Sequence, residues 1–351
     1  MIRRRRRIQP LRRTKPVLIL GIESSCDDAA AAVLETHAPG QATVRSSVVA
    51  GQDEIHGRFG GVVPELASRC HVRSIVPVIE GALKLAGCEL AQIDAIAATR
   101  GPGLVGSLLV GLMCAKGLAQ ALGLPLAGVN HIEGHLLAPL LEHRVAMPFL
   151  ALVVSGGHTA LFLVEGFGRY RRLGGTRDDA AGEAFDKVAK LMGLGYPGGR
   201  IIDEMARQGH RGRFKLPRAR VRGARFDLSF SGIKTAVALT LRDRANGADA
   251  APHDLAASFQ EAVVDMLLKP TLAAAREHEV ATIALTGGVA ANSRLRQRLA
   301  AEAESAGFGV VAPSLKYCTD NAAMIALAAS YRLLRAERDP LDLDAEASLA
   351  L

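Results

Sequence analysis

His131 and His135 stand four residues apart in the run Asn130-His-Ile-Glu-Gly-His135. The short apolar stretch before them, residues 126–129, reads as the end of a strand. Asn130 reads as an N-cap, so the two imidazoles fall one turn apart on one helix face. That is the spacing of a metal clamp. In a zinc-peptidase helix the glutamate directly follows the first histidine and serves as general base. Here Glu133 is third in the motif and points away from the clamp face. The alternative is a pair of surface histidines that binds nothing. Two imidazoles are also one short of a usual protein ligand set. Asp320, at the start of a distant Ala-rich helix, is a candidate third ligand and equally a good N-cap.

The elements that must position these groups can be outlined from composition and pattern. A chain of 351 residues is too long for one compact core, so two domains are expected. Nearly half the residues are apolar and there is no tryptophan, which predicts two aliphatic, alanine-rich cores. Five scattered cysteines without a C-x-x-C argue for a reducing compartment and against a disulfide frame or zinc ribbon. No apolar run flanked for insertion is expected to span a membrane. The net charge of +8 is local: residues 1–16 hold eight Arg and Lys and no acid, and the rest carries 35 of each sign. This stretch lacks the apolar core of a secretory signal and reads as a disordered basic tail touching RNA weakly, a mitochondrial presequence being the alternative.

Strands are expected at 17–22 and 29–34, joined by the polar turn Glu23-Ser24-Ser25-Cys26-Asp27-Asp28. The plan recurs at 149–154 and 160–164 around Ser155-Gly156-Gly157-His158-Thr159. A hairpin whose turn is small and polar can bring backbone N–H groups to a phosphate, and two copies signal two related halves. Residues 64–86 carry helical periodicity, with breaks expected near His71 and Pro77. Arg100-Gly-Pro-Gly-Leu-Val-Gly106 formally matches G-x-G-x-x-G. Pro102 removes an N–H and no ribose-binding acid follows until Glu133, so a tight turn with close helix packing is the better reading. Asp178 to Lys187 opens a helix that Asp179 or its neighbour caps. Thr286-Gly-Gly288 leads to a helix start where Asn292 either meets a ribose or sits in the first turn. Eight cations and no acid lie between Arg207 and Arg225, an exposed loop suited to a phosphate backbone or simply solvated.

Taken in order, these motifs resemble the TsaD/Gcp family of tRNA threonylcarbamoyladenosine transferases, in its bacterial form. The match is carried by Gly21-Ile-Glu-Ser-Ser-Cys-Asp27, Arg100-Gly-Pro-Gly-Leu, Asn130 to His135, Val154-Ser-Gly-Gly-His-Thr159 and Asp179-Ala-Ala-Gly-Glu-Ala-Phe-Asp186-Lys. Tyr196-Pro-Gly-Gly199, Ser229-Phe-Ser-Gly232, Thr286-Gly-Gly-Val-Ala-Ala-Asn292 and Cys318-Thr-Asp320-Asn complete it. The resemblance implies an actin/hexokinase-like (ASKHA) fold of two ribonuclease-H-like mixed-sheet domains around a central cleft. The domains are then 17–148, joined by a helix at about 320–336, and 149–319, after the basic tail 1–16.

It implies that His131, His135 and Asp320 hold a divalent metal, Fe2+ before Zn2+. It places threonylcarbamoyl-AMP against Val154, Ser155, Gly156, Gly157, His158, Asp186, Gly199, Asp203 and Asn292. The implied reaction moves threonylcarbamoyl onto the exocyclic amine of the adenosine at position 37 of tRNAs reading codons that begin with A, releasing AMP. The implied partners are tRNA, a TsaB-like paralogue and a TsaE-like ATPase, with no membrane, in the cytoplasm. No residue stands out as general base. The bacterial pattern has Asp-Glu after the first cysteine, where this chain has Asp27-Asp28, and the arginine-rich tail lies outside the pattern. An ATP-dependent phosphotransferase of the same fold would not need the two-histidine clamp. A non-catalytic scaffold would not need intact metal ligands. A metalloprotease is undercut by the position of Glu133.

Overall fold

The computed structural model describes residues 15–38, 40–219, 221, 223–245 and 251–351. Residues 1–14 of the expected basic tail, and Arg220 and Arg222 of the basic run, lie outside the described residues. Strands β1 Val17–Glu23, β2 Ala29–Ala38 and β3 Gln41–Ala50 come first, followed by α1 Asp53–Gly57, α2 Pro64–Ala86, β4 Ala95–Gly101, α3 Val105–Leu122, β5 Leu126–Asn130 and α4 His131–Leu137. Next are β6 Phe149–Val154, β7 Thr159–Gly166, β8 Arg169–Gly175, α5 Ala181–Leu191, α6 Gly198–Ala206, α7 Ser231–Ala245 and α8 Pro252–Glu277. They are followed by β9 Thr282–Thr286, α9 Ser293–Ser305, β10 Gly309–Val311, α10 Leu315–Cys318 and α11 Ala322–Leu334.

Two sheets share one plan. The first has the order β3-β2-β1-β4-β5 and the second β8-β7-β6-β9-β10. In each, the first three strands run antiparallel and the last two lie parallel to the first. The apolar hairpins of the sequence thus open the two halves, as the repeated plan predicts.

The chain divides into two compact units. Unit 1 comprises Met1–Gly51, Pro64–Leu141 and Asn321–Leu351, and unit 2 Gln52–Val63 and Glu142–Asp320. Residues 52–63 and 142–148, assigned to the first half from the sequence, thus belong with the second. Their contacts are the reason. Gly57 and Gly60 approach Tyr196 and Lys190, and Glu142 accepts hydrogen bonds from Ser314 N and Oγ at 2.6 and 2.7 Å.

In unit 1, Leu20, Ile22, Ala31 and Val33 of the sheet pack with Ile75, Val78 and Ile79 of α2 and Leu112 and Ala115 of α3. Gly21, between Leu20 and Ile22, faces α11. A β-carbon there would collide with Ala322 O, so only glycine lets this helix lie on β1. α2 does not break at His71 or Pro77. Its continuous buried face, Ala67, His71, Ile75, Val78, Ile79, Ala82 and Ala86, outweighs the proline. A helix-interior proline costs about 3 kcal/mol, and each fully buried Val or Ile side chain returns roughly 1.5–3 kcal/mol. His71 Nε2 also donates to Cys26 O at 2.9 Å. Against the sequence expectation, α3 is long and apolar enough to cross a membrane by length and composition. In the fold, its Leu108, Leu112, Ala115 and Ala119 are buried in unit 1. In unit 2 the core gathers Leu150, Leu152, Leu161, Phe185, Ile202, Phe259 and Leu267.

Candidate metal centre and glycine turns

β5 delivers Asn130 to the start of α4, where its Oδ1 accepts from Ile132 N at 2.8 Å and Glu133 N at 3.4 Å. The cap fixes the first helical turn, which presents His131 and His135, both buried. The two rings meet edge-on with centroids 4.6 Å apart. Gly134 lets α4 approach α11, since a β-carbon there would stand 2.9 Å from Ile325 Cδ1.

The N-cap of α11 is Asn321, whose side chain accepts from Met324 N at 3.0 Å, and not Asp320. With the cap role taken, the Asp320 carboxylate gathers with His131 and His135, one ligand atom from each lying within 4.8 Å of the others. Asp320 immediately precedes the last segment of unit 1.

Sequence reading missed the support beneath His131. Glu23, fully buried at the end of β1, places Oε2 3.1 Å from His131 Nδ1. The same Oε2 accepts from Thr99 Oγ1 at 2.6 Å, and Oε1 from Ser25 N at 2.5 Å. Ser25 Oγ lies 3.1 Å from the same ring nitrogen. A carboxylate facing Nδ1 favours the tautomer protonated there and leaves the Nε2 lone pair for a ligand bond. The available signal was an acid closing the apolar strand Val17–Glu23. Two imidazoles and a carboxylate suit Fe2+ or Zn2+, so the residues present fit the metal that the resemblance implies.

The glycine loop after β4 is a packing turn, as expected. Leu104 N donates to Ser25 O at 2.7 Å, and Ser24 Oγ donates to Ser107 O at 2.8 Å. It holds the turn of the first hairpin against α3.

The remaining predicted residues lie in unit 2. Beyond Val154 the chain turns with Ser155 N donating to His158 O at 2.7 Å and His158 N to Ser155 Oγ at 3.1 Å. The N-terminus of α5 abuts this turn. Ala181 N donates to Thr159 Oγ1 at 2.8 Å and Gly182 N to Ser155 O at 3.2 Å. Gly156 and Gly157 are exposed, and a β-carbon on either would meet nothing within 4 Å. Asp186 Oδ1 accepts from Gly198 N at 2.8 Å, beside Gly199. Asp203, buried, accepts from Gln260 Nε2 at 3.0 Å and from Ser293 Oγ at 2.8 Å. Ser293 follows Asn292, whose Oδ1 caps α9 through Leu295 N at 2.9 Å. The structure thus ties Asp186 to the Gly199 turn and Asp203 to the Asn292 turn.

Two expectations change in detail. The residue capping α5 is Ala180, whose side chain makes no cap bond. Asp178 instead closes the start of α7, accepting from Ser229 Oγ, Phe230 N and Ser231 Oγ at 2.5, 2.7 and 2.8 Å. Burial pushes its pKa up, but these bonds outweigh that and hold it below the ordinary value. Asp179 pairs with Lys187 at 3.0 Å and with Lys234. Finally, the basic run is partly neutralised: Arg207 pairs with Asp203, Arg218 with Asp265 and Arg225 with Glu277. Arg211 and Lys215 are exposed and form no ion pair among the described residues.

Two mixed sheets of one repeated order, each opened by a hairpin, define an actin/hexokinase-like (ASKHA) protein. Solved structures share this fold. HypF of T. kodakarensis aligns with TM-score 0.60 at 14% identity, over 93% of this chain and 49% of that one. Component A of the (R)-2-hydroxyglutaryl-CoA dehydratase of Acidaminococcus fermentans gives 0.53 at 14%, over 91% and 98%. The TsaD family model, described as tRNA N6-adenosine threonylcarbamoyltransferase, matches residues 43–327. Relatives of that name are 53% identical in Anaeromyxobacter dehalogenans strain 2CP-C, over 93% of this chain and 98% of the relative, and 50% in Syntrophotalea carbinolica, over 95% and 97%. The chain belongs to the TsaD family of tRNA N6-adenosine threonylcarbamoyltransferases.

Proposed function

We propose that this chain transfers threonylcarbamoyl from threonylcarbamoyl-AMP to the exocyclic amine of the adenosine beside the anticodon, in tRNAs reading codons that begin with A, and releases AMP. The observation that carries this reading is the meeting of His131, His135 and Asp320 in a chain of this family. These residues would hold one divalent metal, Fe2+ first and Zn2+ second. When bound, the metal supplies a Lewis acid for an acyl oxygen or a hold on the threonyl group. Glu23 orients His131 for that role.

In unit 2 the adenylate is assigned to Val154, Ser155, Gly156, Gly157, His158, Asp186, Gly199, Asp203 and Asn292. Its phosphate lies at the Ser155–His158 turn, where the two glycines leave backbone N–H groups unshielded and the space before them open. Asn292 spends Oδ1 on the helix cap, so its amide nitrogen is the donor offered to the nucleoside. No side chain is assigned as the base for the attacking amine.

The tRNA is assigned to the exposed cations of the run 207–225. A TsaB-like paralogue is assigned to the apolar stripe of exposed Val72 and Val76 on α2 and Val105, Leu109 and Met113 on α3. A TsaE-like ATPase would complete the set, in the cytoplasm. Nucleoside mass analysis of tRNA from cells depleted of the protein tests the reading. Threonylcarbamoyladenosine should disappear and return with the parent gene but not with Asp320→Ala. Unchanged nucleoside in depleted cells would overturn it.

A further inference from the structure

The segment after α11 does more than close the chain onto unit 1. It runs beside the residues that hold α4 in place. Asn130 Nδ2 donates to Leu349 O at 3.3 Å and Ala350 O at 3.2 Å, while Oδ1 of the same side chain caps α4. One buried amide is thus shared between the metal helix and this segment. Its orientation is set from both ends, because a flipped amide would lose the cap and both carbonyl bonds together.

The segment is itself anchored. Lys116 Nζ donates to Leu343 O at 2.6 Å, Glu346 N to Arg100 O at 2.8 Å and Gly103 N to Ala347 O at 3.1 Å. A β-carbon on Gly101 would collide with Glu346 O, so the seat is built for this backbone and admits no other residue. The glycine loop that receives it also touches the metal side, for Leu104 N binds Ser25 O and Ser25 Oγ lies 3.1 Å from His131 Nδ1. The segment therefore reaches His131 by two routes, through the cap of its helix and through the turn that faces its ring.

We propose that residues 342–350 are a positioning strap for the candidate metal centre, tuning its affinity through the Asn130 amide without touching the ion. The proposal rests on the metal reading given above. A clamp of two histidines one turn apart binds well only if the first helical turn is rigid, and the strap supplies that rigidity.

The test compares the parent, a chain ending at Leu341, an Asn130→Ser chain and the combination of both. Serine keeps a cap oxygen but loses the amide donors. Each is titrated calorimetrically with Zn2+ and, separately, with a stable adenylate analogue, and its fold is checked by circular dichroism. Shortening the chain and Asn130→Ser should each weaken Zn2+ binding about tenfold, the range seen when a group supporting a metal ligand is removed. The combination should be no worse than the short chain alone, since shortening already breaks the Asn130 link. Adenylate affinity should stay within about threefold of the parent. If the short chain misfolds, Asn130→Ser alone carries the test. Parent-like Zn2+ affinity in the folded variants overturns the strap and leaves the metal reading standing. A parent that binds no Zn2+ or Fe2+ overturns the metal reading, and the strap with it.

Discussion

Glu23 Oε2 lies 3.1 Å from His131 Nδ1, at a sequence distance of 108 residues, with both side chains buried. The contact joins the end of the first strand to the start of the histidine helix. It makes the ring a ligand of fixed tautomer and orientation. Glu23→Gln keeps the shape but removes the charge. Metal affinity by calorimetric titration should drop about tenfold, with the thermal midpoint changed by only a few degrees. Unchanged affinity would mean that Ser25 alone orients the ring.

His135→Ala and Asp320→Ala should each abolish binding of the divalent metal and transfer to tRNA while leaving the circular dichroism spectrum intact. Each removes a terminal group, and Asn321 still caps α11 in the second variant. Elemental analysis of the purified proteins, together with a transfer assay, reads both effects. Full activity in metal-free Asp320→Ala would remove the metal from the mechanism.

Gly156→Val should fold, since a β-carbon at this position meets nothing within 4 Å. It should nevertheless reduce adenylate affinity by about two orders of magnitude, the equivalent of two charge-assisted hydrogen bonds at roughly 1.5 kcal/mol each. Metal affinity should be retained. Calorimetry with a stable adenylate analogue distinguishes this from a phosphate seated at Ser24 to Asp28 of the first hairpin.

Replacing Arg211 and Lys215 by glutamine should weaken tRNA binding and lower the slope of log affinity against log salt, by roughly 0.7 to 0.9 for each phosphate no longer neutralised. Adenylate binding should not change. Arg218 and Arg225 should matter less, because Asp265 and Glu277 already engage them. Filter binding at several salt concentrations measures this, and an unaltered slope returns the loop to plain solvated surface.

Glu261 and Asp265 sit among Arg294, Arg298 and Arg218. Burial pushes both carboxyls up, but hydrogen bonds and charge from these arginines outweigh it and hold both below their ordinary values. A depressed folded-state pKa gives stability that is present above the unfolded value and lost as pH falls through the folded one. Glu261→Gln should therefore cost about 2 kcal/mol at pH 7. The gap from the parent should narrow as pH falls below 4.5, the ordinary value for Glu261, and close as pH passes the depressed folded-state value. Urea unfolding followed by circular dichroism at pH 7 and pH 3.5 would show it; a gap of equal size at both would rule out the ion pairs as its source.

Residue order alone specifies the local pieces of this protein. The i, i+4 histidines, the Asn130 cap, the two polar-turned hairpins and the paired glycines depend on neighbours a few residues away, where backbone geometry is set by residue type. The repeated strand plan also announced two similar sheets. What lay beyond it were relations across long stretches of chain. That Glu23 belongs to His131 follows from β1 lying beside β4 and β4 beside β5, a pairing no local pattern encodes. That Asn321 and not Asp320 caps α11 was settled by the packing of the helix start, two neighbouring polar residues being equally good caps in isolation. Pro77 read as a break because propensity is local, and the helix continues because burial of its apolar face is not. The Arg100 to Gly106 loop shows the same division. Its glycines predict a close approach, but it takes the folded chain to show that Glu346 of the last segment is what approaches.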